Sequence, residues 1–197
     1  VIAPQAARSS TITTLAKDET DSGPVDQDAV DRGKIIHRLL QLLPDVPEEE
    51  RTALARHIVK RSGQPESVAF MVLDLLGHEA LAPLLRGDAL PEVALTATLP
   101  NSTTTINGRI DRLVVEDRSI TIVDYKTDRV PEAEIERQMA HHRWQGAAYA
   151  LALQEVTGRP VAGCRFLFLR TDGEAVERSV DDLPAAVATV AGLLRSG

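Results

Sequence analysis

The sequence predicts an α/β domain with a mixed β-sheet, preceded by a small helical lobe. Three observations carry that expectation. The apolar period is near 3.6 residues from about Val30 to residue 86 and moves toward 2 from residue 91 onward. One long helical pattern, Pro131 to Thr157, separates two strand-like runs, and a crossover of that kind favours parallel pairing. With 197 residues, 43% of them hydrophobic, the chain has enough material for one full-sized core.

The elements follow in order. Residues 1–28 are rich in Ser, Thr, Asp, Gly and Pro and read as a loose lead-in or linker. Residues 29–197 read as one domain, with a helical lobe over 29–88 and an α/β core over 89–197. In DRGKIIHRLLQLLP, Ile35, Ile36, Leu39, Leu40 and Leu43 recur at helical spacing until Pro44 stops the run. In PEEERTALARHIVKRSG, three glutamates open the helix, Lys60 and Arg61 close it, and Gly63 follows. That order complements the helix dipole. A third helical stretch covers about 65–86, with a break expected near Gly77. Three β-rich runs come next, 91–100, 103–117 and 118–128. Residues 106–115 and 119–124 make a hairpin, with 90–99 as its neighbour. After the long helix, Gly158-Arg159-Pro160 closes the pattern. VAGCRFLFLR (161–170) reads as a strand buried on both faces, because Phe166 to Leu169 do not alternate. Residues 174–180 add an edge strand, and Asp181–Leu194 a terminal helix.

Charge and cysteine usage narrow the function classes. The chain carries 22 basic and 29 acidic side chains, a balance that at first opposes a nucleic-acid partner. The distribution is uneven, however. Residues 1–50 hold 5 basic and 10 acidic groups, while 137–170 hold five arginines against Glu155 alone. A single cysteine, Cys164, excludes an internal disulfide and a four-thiolate zinc or iron–sulfur site, and in a buried strand it reads as an inert small hydrophobe. No apolar run approaches the ~20 residues needed to cross a bilayer. Nothing after Val1 reads as a signal peptide, so the expected location is cytoplasmic without a membrane partner. A start at Val1 instead of Met fits a fragment of a longer protein.

The chemistry lies in GRIDRLVVEDRSITIVDYKTDR (108–129). Asp111 sits within one strand of the hairpin and Asp124 ends the next. Lys126, two residues on, shares a side of the extended chain with Asp124. Two carboxylates from adjacent strands can converge on one hard divalent cation, Mg²⁺ or Mn²⁺ in preference to zinc. A lysine beside them can steady a nucleophilic water or a developing phosphorane charge. Glu92 is available as a third carboxylate. The residues alone leave a second reading open, in which Lys126 merely pairs with Asp124 or Asp128 at a surface turn. Against it, Ile120, Ile122, Val123 and Tyr125 frame Asp124, and a carboxylate in an apolar strand is costly unless paired or bound to metal.

Five signals then occur in one order. They are Gly33 to His37 (GKIIH), Glu92, Asp111 in GRID, Asp124 and Lys126 in IVDYKTD, and Gln145 and Tyr149 in WQGAAYALAL. In this the chain resembles the RecB-like nuclease module of the PD-(D/E)xK superfamily, as found in the C-terminal part of AddA-type bacterial helicase–nucleases. The resemblance implies a restriction-endonuclease-like fold and a Mg²⁺-dependent deoxyribonuclease (Mn²⁺ serving as well). It implies single-stranded DNA at the site, a helicase domain upstream and a second helicase–nuclease protein as partner, in double-strand break processing. By the family's pattern His37, Asp111, Asp124 and the backbone carbonyl of Tyr125 hold the metal. Lys126 activates the water, Glu92 is a further acid near the metal, and Gln145 and Tyr149 contact nucleic acid or brace the site. Arg109, Arg112, Arg129, Arg137 and Arg143 are candidates for phosphate contacts. An inactive nuclease-like DNA-binding module, or a stand-alone nuclease on another nucleic acid, are the rival readings.

The chain departs from its relatives at His142, where a tyrosine is frequent. His141 and His142 do not share a helical face and are expected to face solvent or groove. Trp144 either stacks on a base or seals its helix against the sheet, and packing is the expectation. No G-x-x-x-x-G-K-[ST] loop occurs in these residues, so a motor would lie outside them.

Overall fold

The structure, a computed structural model, describes residues 9–11, 26–85, 89–100, 104–127, 130–170 and 174–195. Helix α1 (Gln27–Leu42) begins at Asp26, whose carboxylate accepts the Ala29 N–H at 3.2 Å. It ends in a 3₁₀ turn, Leu43–Asp45, where Pro44 stops the helix as its sequence requires. Helix α2 (Glu48–Arg61) has Glu48, Glu49 and Glu50 in its first turn and Lys60 and Arg61 in its last. Helix α3 (Ser67–Gly77) breaks at Gly77 as expected, and a 3₁₀ turn, Glu79–Leu81, leads into the short α4 (Ala82–Leu85).

The sheet is built from β1 (Ser9–Thr11), β2 (Ala89–Thr98), β3 (Thr105–Val115), β4 (Ile120–Lys126), β5 (Val161–Leu169) and β6 (Ala175–Ser179). Helix α5 (Glu132–Thr157) links β4 to β5, and α6 (Leu183–Arg195) follows β6. Strands β2, β3 and β4 pair antiparallel in succession, β4 pairs parallel with β5 across the α5 crossover, and β6 runs antiparallel to β5. The sheet is therefore mixed, as the sequence predicts. It holds one strand that sequence patterning does not reveal. Ser9–Thr11, in the stretch read as a lead-in, pairs parallel with Thr105–Asn107.

Both faces of the sheet are covered, and alternate residues go to different cores. Ile122, Phe166 and Phe168 join Ala147, Leu151 and Val190 under α5 and α6. Val123, Tyr125, Leu167 and Leu169 join Ile36, Leu39, Leu40 and Leu76 of the lobe. This accounts for the unbroken apolar run in β5, since all four of Phe166 to Leu169 are buried. Between the layers lies Arg112, 1% exposed, with its guanidinium donating to the Leu40 carbonyl of α1 at 3.2 Å. That overturns its assignment as a phosphate contact. The residue ties the lobe to the sheet and cannot reach a ligand. Arg129, another of those candidates, lies outside the described residues. No single described helix is long and apolar enough to cross a membrane.

Candidate metal centre

The site forms where α1 meets β2, β3 and the C-terminal end of β4. Helix α1 approaches closely because residue 33 is glycine. A Cβ there would lie 2.7 Å from the Thr127 hydroxyl, so the opening glycine of GKIIH and the threonine of DYKT are two sides of one contact. One turn later His37 projects to Asp111, with Nδ1 3.1 Å from Oδ1. The other oxygen, Oδ2, accepts the backbone N–H of Tyr125 at 2.7 Å. The β3–β4 ladder runs as far as Arg112 opposite Val123. One step beyond, the Asp111 carboxylate takes the strand amide, which fixes its rotamer.

Glu92 enters from β2 at a break in its pairing. Pro91 faces Arg112 and Val93 faces Ile110, but Glu92 has left-handed backbone, φ 53°. A non-glycine residue there costs on the order of 1–3 kcal/mol, and such strain gathers at functional sites. The result is that ligand atoms of His37, Glu92 and Asp111 all lie within 4.8 Å of one another. Two carboxylates and an imidazole form a donor set that suits a hard or borderline divalent cation.

Asp124 and Lys126 form the adjoining half of the site. Asp124, 6% exposed, places Oδ2 2.8 Å from the Lys126 ammonium. Burial pushes its carboxyl up to about 6; the nearby Lys126 charge opposes that rise and Asp111 adds to it. For His37, burial lowers the imidazole pKa, but the carboxylates of Asp111, Asp124 and Glu92 outweigh it and the net shift is upward. Lys126 also donates to Gln145 Oε1 at 3.1 Å, and its Nζ stands 5.3 Å from the centre of the Phe166 ring. Gln145 in turn donates to the Tyr149 hydroxyl at 3.4 Å.

Residues 10–196 match the PD-(D/E)XK nuclease superfamily. The chain belongs to that superfamily. Among curated proteins it is 26% identical over 167 residues to an ATP-dependent helicase/nuclease protein of Desulforamulus reducens, covering 74% of this chain and 13% of that protein. Over 77 residues it is 31% identical to the CRISPR-associated exonuclease Cas4 of Francisella tularensis subsp. novicida, covering 39% of this chain and 35% of that one. The chain thus spans a small part of the curated relatives it matches. Among solved structures, a putative exonuclease from Eubacterium rectale superposes with a TM-score of 0.54 at 11% identity, over 89% of this chain and 66% of the other, a likeness of fold alone.

Within this PD-(D/E)XK fold, the residues singled out from sequence fall into two sets. Ligand atoms of His37, Glu92 and Asp111 gather in one cluster, Asp124, Lys126, Gln145 and Tyr149 are linked in a chain beside it, and Tyr125 gives its amide to Asp111 and packs its ring T-shaped with that of His37, 5.7 Å between centroids. Among the arginines, Arg109 reaches the edge of the site through Glu92. Arg109 is mostly exposed and is held by Glu92 at 3.0 Å, Arg137 pairs with Glu134, and Arg143 lies over Trp144. One expectation on α5 is overturned. Trp144 does not seal the helix, for it is 39% exposed. His142 is half-buried. Its ring stacks on Phe166 at 5.4 Å and lies beside Phe168 at 6.0 Å, while His141 is exposed. Burial, and secondarily the Lys126 charge, push the His142 imidazole down to about 3, so it is neutral at pH 7. Phe166, the floor under both Lys126 and His142, was missed as a site residue. The signal for it was the position opposite Asp124 that a parallel β4–β5 pairing gives it.

Proposed function

We propose that this chain hydrolyses DNA phosphodiester bonds with Mg²⁺, or Mn²⁺ in its place, as the nuclease part of a helicase–nuclease that processes double-strand breaks. The observation that carries the reading is the convergence of His37, Glu92 and Asp111 beside the Asp124–Lys126 pair. His37, Asp111 and Asp124 would hold the cation with the Tyr125 carbonyl, and Glu92 would lie close enough to bind it directly or through water. When bound, the cation supplies a Lewis acid for the phosphate and an acidified water.

The chain's own groups do the positioning. Lys126, held by Asp124 and Gln145, has a proton left to donate to the attacking water or to a phosphate oxygen. Water oxygen would attack phosphorus in line with the departing 3′ oxygen, and that P–O bond breaks. Gln145 and Tyr149 keep the ammonium aimed, and Phe166 and His142 exclude water from its far side. The relatives' name, helicase/nuclease, supports a motor outside these residues acting on the same DNA. The test is cleavage of labelled single- and double-stranded DNA by wild type, Lys126→Ala and Asp124→Ala, with Mg²⁺, Mn²⁺ or EDTA. Loss of at least about 10²-fold in either variant and in EDTA is expected. Cleavage that persists in EDTA, or in both variants, refutes the reading.

A further inference from the structure

We propose that Trp144 and Arg143 form a stacking platform for one unpaired base of the strand entering the site; this rests on the nuclease reading above. The rest of α5 makes the exposed indole unusual. From Gly146 to Leu153 every residue of that helix is buried, whereas Trp144, two residues earlier, leaves 39% of its surface in water. The Arg143 guanidinium carbon stands 5.2 Å from the ring centre, a cation–π contact. Its Nε is buried with no hydrogen-bond partner among the described residues.

Most neighbouring arginines are neutralised, and the buried Arg112 is spent on the Leu40 carbonyl. Arg137, Arg165, Arg170 and Arg178 each meet a glutamate. Among the described residues no carboxylate pairs with Arg143. A partly exposed indole beside a cation with no carboxylate partner matches a ligand with a flat ring and a neighbouring anion, and a nucleotide has both. Base–aromatic stacking tolerates any sequence, because every base has a π-face. The position is also continuous with the site. The next residue, Gln145, touches Lys126 at 3.1 Å.

Trp144 is the sole tryptophan of the 197-residue chain, so its fluorescence reports this spot alone. Single-stranded oligothymidylate is titrated with Mg²⁺ into the Lys126→Ala variant, which holds back cleavage. Binding is read separately by anisotropy of a labelled oligonucleotide. Quenching of Trp144 that tracks the anisotropy is expected. Adding Trp144→Ala should weaken binding roughly 5- to 150-fold, with Trp144→Phe retaining most of it, both compared at a temperature where each variant is folded. Affinity that ignores Trp144→Ala, quenching by duplex equal to that by single strand, or cleavage by wild type without such binding overturns the platform while leaving the nuclease reading intact. An oligonucleotide that is neither bound here nor cut by wild type overturns both.

Discussion

Substituting Gly108 by alanine turns one close approach into a test of how the site is held. Gly108 lies in β3, three residues before Asp111. A Cβ built there falls 2.3 Å from Cε1 of Tyr149 and 2.7 Å from both Cζ and the hydroxyl oxygen. Carbon pairs prefer about 3.5–4.0 Å, so the ring must retreat by about 1 Å. It has little room, being 6% exposed and in the core under α5. Overpacking of this kind costs about 1–3 kcal/mol. Without the ring the sign reverses, since alanine in a strand interior is better than glycine by roughly 0.5–1 kcal/mol. Gly108→Ala is therefore expected to lower stability by about 2 kcal/mol, roughly 4–8 °C in melting temperature at this length. In a Tyr149→Ala background it should be neutral or stabilising. The same 1 Å shift breaks the already long 3.4 Å bond from Gln145 and loosens the amide that aims Lys126, so nuclease activity should fall by up to about 10²-fold. Thermal melts of the four proteins of the cycle check the cause. An equal loss in both backgrounds, or no loss in the wild-type background, would show that the Tyr149 ring is not what the glycine serves.

Three other outcomes follow from the geometry. Arg112→Ala removes a buried side chain and leaves the Leu40 carbonyl without its donor, so a loss of about 3 kcal/mol is expected in denaturant melts, and a loss under about 1 kcal/mol contradicts the lobe–sheet tie. His142 is depressed to about 3 in the fold, against about 6.5 when unfolded, so the unfolded chain takes up its proton first and stability is lost as pH falls below about 6.5, by at most about 1.4 kcal/mol per pH unit. The gap in melting temperature between His142→Phe and wild type should widen from pH 7 to pH 5, and a constant gap refutes the half-buried neutral ring. Glu92→Gly relieves the left-handed backbone and should raise stability by about 1 kcal/mol while weakening Mn²⁺ binding in calorimetry, and unchanged Mn²⁺ affinity would remove Glu92 from the centre.

Much of this was legible because period, turn chemistry and spacing are local. The hairpin, the crossover helix, the parallel β4–β5 pair and the double-faced burial of β5 come from runs of ten to thirty residues. What escaped depends on distance in sequence. Ser9–Thr11 finds its partner almost a hundred residues away, and three residues carry no period of their own. Arg112 is a charged residue in a strand, and only the lobe, packed over that face, buries it. Trp144 misled for a related reason. Its helix is buried all round from Gly146 to Leu153 but not before, and one apolar pattern cannot show where that change falls. His142 is placed by Phe166, a contact across two elements.

The site's acidity also acquires a physical explanation. Asp111 and Glu92 bring carboxylate oxygens within 4.8 Å of each other, and Asp124 feels the Asp111 charge beside them, so like charges repel by several kcal/mol if left bare. Each has its own base: His37 at 3.1 Å, Lys126 at 2.8 Å and Arg109 at 3.0 Å. Those bases come from α1, β4 and β3, so the motifs read as separate signals along the chain are partners across it. Gly33 admits the helix that brings His37, Gly108 admits the tyrosine that steadies Gln145, and Gln145 steadies Lys126. The spacing of the signals is thus a consequence of pairing: removing any one member leaves a charge or a cavity at another. That makes the five motifs a single cooperative unit, whose substitutions should couple strongly in double-mutant cycles even where the residues lie a hundred positions apart.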